Sequence, residues 1–323
     1  MATAEQLKSL IRSHFGDDLE RFITLSLQVA AHESQQGHGA LAHDIREIVD
    51  KAQREKSPVL MLKFPADLHG LVLAESPDLP LSAIVAPQSL RVRIERIIHE
   101  FRQQERLKTH GLTHRRKILL IGPPGTGKTM TARVLAHELH QPIRTVQVDK
   151  LVTKFMGETS AKLRQIFDLI QQEPAVYLFD EFDAIGGERT LDNDVGEMRR
   201  VLNAFLQFIE QDTSDSIIVA ATNSPRLLDR ALYRRFDDVL YYTLPDGEGR
   251  KRIIQNVLAA YLSAKFTWGP VVSEARGLSH AEIAQACMDA VKHTILQDEA
   301  RVSPDLLQRM LGERRHAHHA QRG

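Results

Sequence analysis

The residues Gly122-Pro-Pro-Gly-Thr-Gly-Lys-Thr129 decide how this chain folds. An apolar run, Lys117–Ile121, precedes them, and a stretch with helical periodicity, Met130–His140, follows them. A strand, a glycine-rich loop and a helix in this order are typical of a phosphate-binding loop. Small residues let backbone N–H groups curl around phosphate oxygens, and the helix presents its positive end to the same anion. The pattern therefore predicts a site for a nucleoside triphosphate.

Two side chains of this loop have distinct expected roles. Lys128 is placed to reach the β- and γ-phosphates, and the Thr129 hydroxyl is placed to hold Mg²⁺. The predicted nucleotide contacts come from the whole loop and the residue after it: Gly122, Pro123, Pro124, Gly125, Thr126, Gly127, Lys128, Thr129 and Met130.

Composition narrows the class of protein. With 323 residues, of which 42% are hydrophobic, the chain has room for two or three domains with real cores. Lys+Arg and Asp+Glu both number 42, and this zero net charge argues against nucleic acid as the main partner. The lone Cys287 suits a reducing compartment, and we expect it to be buried. No leader segment or bilayer-length apolar run is present, which predicts a cytoplasmic protein without membrane insertion.

The first part of the chain predicts a small helical domain and a linker. Apolar stripes at helical spacing recur through residues 1–55 without any cluster of reactive side chains. This domain either recruits a partner or serves as a cap that aids folding or assembly, and the sequence does not choose between the two. Five of the thirteen prolines lie between Pro58 and Pro87, so residues 56–80 are interpreted as a linker.

From residue 81 the pattern alternates between helices and short β-rich runs. A helical stretch such as Ser160–Gln172 separates such runs, and this alternation predicts an α/β domain over 81–246, with a parallel sheet between helices. Residues 247–311 are helical in pattern and predict a second lobe. The basic tail 312–323 contains histidines, but a solvated end is favoured over a metal site. The β-rich runs are Ile118–Ile121, Ile143–Val148, Val176–Phe179, Ile217–Ala221 and Val239–Thr243.

Candidate catalytic residues lie next to three of these runs. The third run continues into Asp180, predicted to hold the Mg²⁺ shell, and Glu181, predicted to polarise a water for attack on the γ-phosphate. The fourth run ends at Asn223, which can orient that water. Arg234 and Arg235, before the fifth run, are either a solvated surface or charge-stabilising groups that reach another subunit's triphosphate.

Four ordered motifs together resemble the ATPase core of the AAA family, within the AAA+ superfamily. The resemblance covers roughly residues 81–311 and implies an ATP-hydrolysing ring, usually hexameric, with a sheet order of 5-1-4-3-2. The stretch Leu228–Phe236 is most similar to the branch that contains katanin, spastin and the ESCRT-disassembly ATPases, in a compact bacterial-type form. In that branch the two arginines that complete a neighbour's site are adjacent, which implies this role for Arg234 and Arg235. The motifs are Gly122–Thr129, Leu178–Asp183, Ala221–Asn223 and Asp229–Asp237.

The resemblance extends to a pore loop and a lid. Lys154–Thr159 is similar to the first pore loop, where Phe155 and Met156 would grip an extended polypeptide; the alternative is that both are ordinary buried residues. Gly277–Ile283 is similar to the start of a lid helix that closes over the adenine side, which implies a nucleotide contact at Ser279. The position of Ala83-Ile84-Val85 supplies backbone contacts to adenine in many relatives, which implies a nucleotide contact at Ile84.

Several positions depart from the family pattern. The usual Gly-Ala pair of the lid motif is His280-Ala281 here, and the usual Asp-Ile-Gly-Gly is Ala83-Ile-Val-Ala86. Ser279–Glu282 contains no arginine, so no lid arginine is assigned to the γ-phosphate. Asp192–Glu197 is either a second pore loop or a solvated acidic turn.

Three hypotheses of function follow. The first is an ATP-driven remodeller that unfolds or threads protein substrates through a ring. The second is a regulatory scaffold or chaperone that assembles with ATP and controls a partner enzyme without threading; a protease is one candidate partner. The third, a nucleic-acid loader, is disfavoured by the neutral charge balance and the Phe-Met loop.

Overall fold

The computed structural model describes residues 70–151, 156–182, 194–224, 233–263 and 266–320, together with residues 26, 29, 30, 44 and 68. The chain divides into two units, Met1–Leu62 and Lys63–Gly323. All elements named below belong to the second unit. Apart from four positions, the helical domain predicted for residues 1–55 lies outside the described residues.

In this described part, six strands and ten α-helices follow one another, with a short 3-10 helix at Leu81–Ala83. The strands are β1 Val72–Glu75, β2 Lys117–Ile121, β3 Ile143–Val146, β4 Val176–Phe179, β5 Ile217–Thr222 and β6 Asp238–Tyr241. The helices are α1 Gln88–Arg102, α2 Gln104–Thr109, α3 Lys128–Glu138, α4 Val148–Leu151, α5 Met156–Gln172, α6 Asp194–Gln211, α7 Gly247–Leu258, α8 Trp268–Glu274, α9 His280–Leu296 and α10 Pro304–Ala320.

One six-stranded sheet has the order β1-β3-β4-β5-β2-β6. Strands β2 to β6 pair in parallel, which confirms both the predicted α/β class and the order implied for the five predicted strands. Two of them end earlier than expected, β3 at Val146 and β6 at Tyr241, while α5 begins earlier, at Met156. The order places the carboxyl ends of β4, β5 and β2 next to one another, where ligands bind in open α/β sheets.

The edge strand β1 corrects the interpretation of residues 56–80 as a linker. Val72 pairs with Val146 and Glu75 with Ile143, so β1 extends the sheet antiparallel to β3. The sequence signal was weak because the strand has only four residues, two of them exposed, and prolines follow it closely. The strand is stabilised by pairing with β3, which is distant in the sequence, and a local sequence pattern does not indicate such pairing.

Helices cover both faces of the sheet. Alternate side chains of each parallel strand enter opposite cores; Tyr177 packs with α5 and α6 on one side, and Leu178 packs with α1 and α3 on the other. Four apolar residues at helical spacing on α5 are all buried in the core that contains Tyr177. They are Leu163, Ile166, Phe167 and Ile170.

Helices α7 to α10 form a lobe with a separate core. Cys287 is fully buried in that core, as expected, and burial raises the pKa of its thiol to about 12. In the segment predicted to be a solvated tail, α10 continues to Ala320, so the described part of the tail is helical; Glu313, His316 and Ala317 are exposed. Two ion pairs hold this helix against its neighbours, Arg314 to Asp289 at 2.6 Å and Arg315 to Glu274 at 2.8 Å. Among the described residues, no helix has both the length and the apolar character needed to span a bilayer.

The buried ring of His114 predicts a pH dependence of stability. His114 is 4% exposed, packs edge-on against Phe101, and burial lowers its pKa below the ordinary 6.5. A histidine whose pKa is lowered by folding binds its proton more readily in the unfolded chain. The contribution of the neutral His114 ring to the free energy of unfolding is therefore complete above about pH 6.5, and it declines as the pH falls through the lowered pKa. We expect His114→Phe to reduce the fall in unfolding free energy between about pH 7 and pH 5, measured by urea titration.

The matched control is His110→Phe. His110 is exposed and, like His114, precedes β2 in the sequence. This variant should keep the wild-type pH slope. An unchanged slope in His114→Phe would contradict the assignment of a neutral buried ring.

Candidate nucleotide site

The phosphate loop joins β2 to α3 through backbone conformations that favour glycine. Gly125 has a φ of +71° and Gly127 a φ of +99°, both in the left-handed region. A Cβ atom on Gly125 would lie 2.7 Å from the Ser279 hydroxyl oxygen and 3.1 Å from the Ala281 Cβ. The loop is therefore restricted to glycine at position 125 both by its own backbone and by the lid residues beside it.

The ammonium group of Lys128 is surrounded by oxygen acceptors. Its Nζ donates to the carbonyl oxygens of Gly122 at 2.7 Å and Pro123 at 2.9 Å, and to Oδ1 of Asn223 at 2.8 Å. Lys128 is only 7% exposed, and a buried ammonium is costly unless such hydrogen bonds replace water. The structure thus brings the predicted phosphate-binding lysine and the predicted water-orienting asparagine into direct contact.

The two predicted metal-binding side chains also meet. The Thr129 hydroxyl donates to Oδ2 of Asp180 at 2.6 Å, although the residues are 51 positions apart in the chain. Oδ1 of the same carboxylate accepts the backbone N–H of Glu181 at 2.9 Å. A hydroxyl and a carboxylate are oxygen donors of the kind that Mg²⁺ prefers, so the chemistry of this pair fits that ion.

Glu181 occupies a strained backbone position at the edge of the site. Its side chain is exposed, and its φ of +50° lies in the left-handed region, where an L-residue other than glycine loses roughly 1–2 kcal/mol. Strain of this kind is often found at functional sites, where surrounding structure holds an unfavourable conformation in place. The turn directs the chain away from β4 directly after Asp180.

A cavity of about 470 Å³ collects most of the predicted nucleotide-binding residues. Among these residues, Gly122 and Pro123 instead lie behind it, where their carbonyl oxygens hold Lys128. Ser279 also lies outside the lining, and its hydroxyl accepts the backbone N–H of Glu282 as the N-cap of α9. The predicted residues that line the cavity are Ile84, Pro124, Gly125, Thr126, Gly127, Lys128, Thr129, Met130, Asp180, Glu181 and Asn223.

The lining also includes residues that sequence reasoning missed. Ile253, Asn256 and Val257 come from one face of α7, at helical spacings of three and four. Their spacing was visible in the sequence, but nothing local indicated that this face turns toward the phosphate loop. Tyr242, after β6, also lines the cavity; its hydroxyl donates to Oγ1 of Thr131 at 2.6 Å, and burial raises the pKa of Tyr242 well above its usual range.

The lid lobe contacts the phosphate loop directly. The backbone N–H of Ala281, in the first turn of α9, donates to the carbonyl oxygen of Gly125 at 3.0 Å. His280 lines the cavity beside it, as do Val85 and Ala86. Core and lid therefore share one wall of the cavity.

The predicted arginine pair lies outside this cavity. Arg234 is exposed, and Nε of Arg235 lies 3.0 Å from Oε2 of Glu210, on α6. Phe155, of the predicted pore loop, lies outside the described residues, and Met156 is described only as the first residue of α5. The second candidate pore loop, Asp192–Glu197, begins outside the described residues and continues into α6.

Comparison with known proteins agrees with this arrangement. Residues 118–244 match the model of the ATPase family associated with various cellular activities (AAA). An uncharacterized AAA family ATPase from Sinorhizobium fredii is 31% identical over 94% of this chain and 92% of its own length. The chain belongs to the AAA family of ATPases. Membership of the AAA family supports ATP binding through a P-loop, and the phosphate loop with its cavity is the candidate site for it.

Two further relatives are larger proteins that this AAA chain matches over part of their length. A proteasome-activating nucleotidase from Methanoculleus marisnigri is 32% identical over 76% of this chain, and an ATP-dependent zinc metalloprotease FtsH from Methylacidiphilum infernorum is 30% identical over 74%. The matched segments cover 62% and 39% of those proteins, so this chain spans less than two thirds of either. The relatives establish the family, while placement in the katanin and spastin branch stays a prediction.

The close approach of Gly125 to the lid predicts the effect of a single methyl group. Gly125→Ala places a Cβ in a left-handed residue and against the Ser279 hydroxyl, so the loop must shift. We expect ATP affinity to fall by about tenfold or more, measured by calorimetric titration.

Gly277→Ala is the matched control. Gly277 also has a left-handed φ, +88°, but no atom lies within 4 Å of the added Cβ. This variant should lose stability through strain alone and keep its ATP affinity. Wild-type affinity in Gly125→Ala would show that the loop is not confined by the lid.

Proposed function

We propose that this chain hydrolyses ATP and uses the energy to unfold, translocate or otherwise remodel protein substrates. The proposed ATPase domain is 81–246, its lid is 247–311, and residues 1–55 are proposed as a separate helical domain. The single observation that carries the proposal is the convergence of Lys128, Asp180 and Glu181 on one cavity. These residues come from three separate segments, and only the folded sheet brings them together.

Each residue has a proposed role in hydrolysis. Lys128 and the loop N–H groups bind the β- and γ-phosphates, with Lys128 exchanging its carbonyl partners for phosphate oxygens. Glu181 accepts a proton from the attacking water, and its exposed carboxylate at the cavity edge is accessible to that water. Asn223, bonded to Lys128, is placed to orient the water and to respond to the γ-phosphate.

Mg²⁺ fits the oxygen pair formed by Thr129 and Asp180, whose Oγ1 and Oδ2 atoms are 2.6 Å apart. When bound, the ion would neutralise charge on the β- and γ-phosphate oxygens. The chain's own contribution is to hold these two oxygens together at the start of α3, beside the phosphate loop.

A ring of several copies, with a hexamer as the proposed state, would complete each site. Arg234 and Arg235 lie outside the cavity of their own chain, as expected if they act on the triphosphate of a neighbour. Such arginines contribute roughly three to five orders of magnitude in rate where they have been measured. The adjacent pair is the feature by which we propose membership of the katanin and spastin branch.

Remodelling is favoured over scaffolding by the named relatives and by the predicted pore loop. One relative is named as activating a proteasome and another as an ATP-dependent protease, and both names imply work on protein substrates. Phe155 and Met156 supply apolar contact that tolerates any substrate sequence. The scaffold hypothesis remains the second candidate, and it requires no role for these two side chains.

Replacement of Glu181 tests the hydrolytic step. Glu181→Gln removes the proton acceptor and keeps the size of the side chain, so ATP binding should persist while turnover falls by about two to four orders of magnitude. Phosphate release and calorimetric ATP titration measure the two properties separately. Glu299→Gln, at an exposed site in the lid, should behave as wild type; full hydrolysis by Glu181→Gln would remove this residue from its proposed role.

Replacement of Phe155 separates remodelling from scaffolding. Phe155→Ala should leave basal ATP hydrolysis within about twofold and abolish unfolding of proteins captured by the Glu181→Gln form in ATP, because the apolar grip is lost. Phe155→Tyr, which keeps the aromatic ring, is the matched control and should retain unfolding. Persistent unfolding by Phe155→Ala would favour the scaffold hypothesis.

A further inference from the structure

Tyr242 contacts the start of the phosphate loop through its backbone. This residue follows β6, and its N–H donates to the carbonyl oxygen of Ile121, the last residue of β2, at 2.7 Å. Gly122 comes next, and a Cβ atom on it would lie 2.4 Å from the Tyr242 carbonyl oxygen and 2.7 Å from the Tyr242 Cβ. The path of the chain into the loop is therefore fixed against the backbone of Tyr242.

The side chain of Tyr242 reaches the other end of the loop through a threonine. Its hydroxyl donates to Oγ1 of Thr131 at 2.6 Å, and Oγ1 of Thr131 donates to the carbonyl oxygen of Gly127 at 3.1 Å. Gly127 is the N-cap of α3 and directly precedes Lys128. A single residue of the last strand segment thus supports the loop at its start and at its end.

The direction of the two hydrogen bonds follows from the groups that form them. A carbonyl oxygen can only accept, so the single hydroxyl proton of Thr131 points to Gly127. The Thr131 oxygen then accepts from Tyr242, and Tyr242 must carry its own proton. Burial raises the pKa of the Tyr242 hydroxyl and therefore favours this protonated form.

The tyrosine restricts the threonine in a way that the helix alone does not. A threonine hydroxyl often bonds the carbonyl oxygen four residues earlier in a helix. Here both hydroxyls are buried, so Thr131 cannot rotate away from Gly127 without leaving the Tyr242 hydroxyl unpaired. An unpaired buried hydroxyl is costly, and the orientation of Thr131 is therefore held from outside α3.

Gly127 has few other contacts that could fix it. Its φ of +99° is left-handed, and beyond the adjacent residues no atom lies within 4 Å of the place where a Cβ atom would be. Its carbonyl oxygen accepts both the backbone N–H of Thr131, at 3.0 Å, and the Thr131 hydroxyl. The N–H groups at the start of α3, which are proposed to bind phosphate oxygens, follow directly.

We propose that Tyr242 is a positioning residue for the phosphate loop, with its backbone fixing where the loop begins and its hydroxyl, through Thr131, fixing where it ends. This role rests on the proposed function of the cavity as an ATP site. A loop that is already held in place binds the triphosphate without the cost of being ordered. Tyr242 acts on the nucleotide through the loop.

Removal of one oxygen atom tests this role. Tyr242→Phe keeps the ring and the backbone and releases the Thr131 hydroxyl. ATP affinity, measured by calorimetric titration, should fall about five- to tenfold, the equilibrium equivalent of one buried hydrogen bond. Tyr241→Phe is the matched control, at the exposed tyrosine one position earlier, and it should keep wild-type ATP affinity.

Variants of Thr131 test whether the effect passes through the two hydroxyls. Thr131→Val keeps the branched shape without the hydroxyl, so ATP affinity should fall as in Tyr242→Phe. Thr131→Ser keeps the hydroxyl and should retain ATP affinity within about twofold. This Thr131 pair decides the matter even where the tyrosine variant folds poorly. The double variant Tyr242→Phe/Thr131→Val should lose no more affinity than Thr131→Val alone, because both substitutions break the same connection.

The outcomes separate this role from the function on which it rests. Failure of the wild-type chain to bind ATP would overturn the proposed function. With ATP binding intact, wild-type ATP affinity in Tyr242→Phe would overturn the inference, because any loss of unfolding free energy in urea would then show a hydroxyl that serves stability alone. An equal loss of affinity in Tyr241→Phe or in Thr131→Ser would overturn it as well. Losses that multiply in the double variant would show that the two hydroxyls act independently, which also contradicts the inference.

Discussion

Parallel pairing of β4, β5 and β2, in that order, is the constraint on which the site depends. Parallel strands end on the same edge of a sheet, so the residues after three neighbouring strands must meet there. Asp180 follows β4, Asn223 follows β5, and the phosphate loop follows β2. The bonds from Lys128 to Asn223 and from Thr129 to Asp180 are consequences of this order.

The lid depends on the same edge of the sheet. Its helix α9 begins beside Gly125, and a loop with any side chain at that position would push the lid away. The segment around Ile84 and Val85 then connects the two cores, since consecutive side chains enter different ones. The phosphate loop contacts the lid directly, because the Gly125 carbonyl accepts the Ala281 N–H and Gly125 approaches the Ser279 hydroxyl.

The sequence predicted the parts of the site that local chemistry specifies. The phosphate loop was evident because glycines, a lysine and a threonine occur at fixed spacing between a strand and a helix, and Asp180 because an apolar strand ends in acids. The face of α7 that carries Asn256 was missed, since only tertiary packing turns it toward the loop. Strand β1 was missed for the same reason, as it forms by pairing with β3.

One local expectation was incomplete because of long-range contacts of another kind. The residues after Gly312 are polar and basic, which favours a solvated end, yet α10 continues to Ala320. The ion pairs from Arg314 to Asp289 and from Arg315 to Glu274 join this end of α10 to α9 and α8. Basic side chains, which in an isolated segment indicate a solvated end, thus form ion pairs in the folded lobe.

The arginine pair shows how a single chain accommodates groups that are proposed to serve a neighbour. Arg234 is exposed, and the contact between Arg235 and Glu210 is a surface ion pair, in which the glutamate is 65% exposed. Pairs of this kind contribute only about 0–1 kcal/mol. Under the proposed role, exchange of Glu210 for a triphosphate would be strongly favoured, because phosphate carries more charge and offers bidentate acceptors. The ion pair therefore orients Arg235 without holding it, which suits a group that must move when copies assemble.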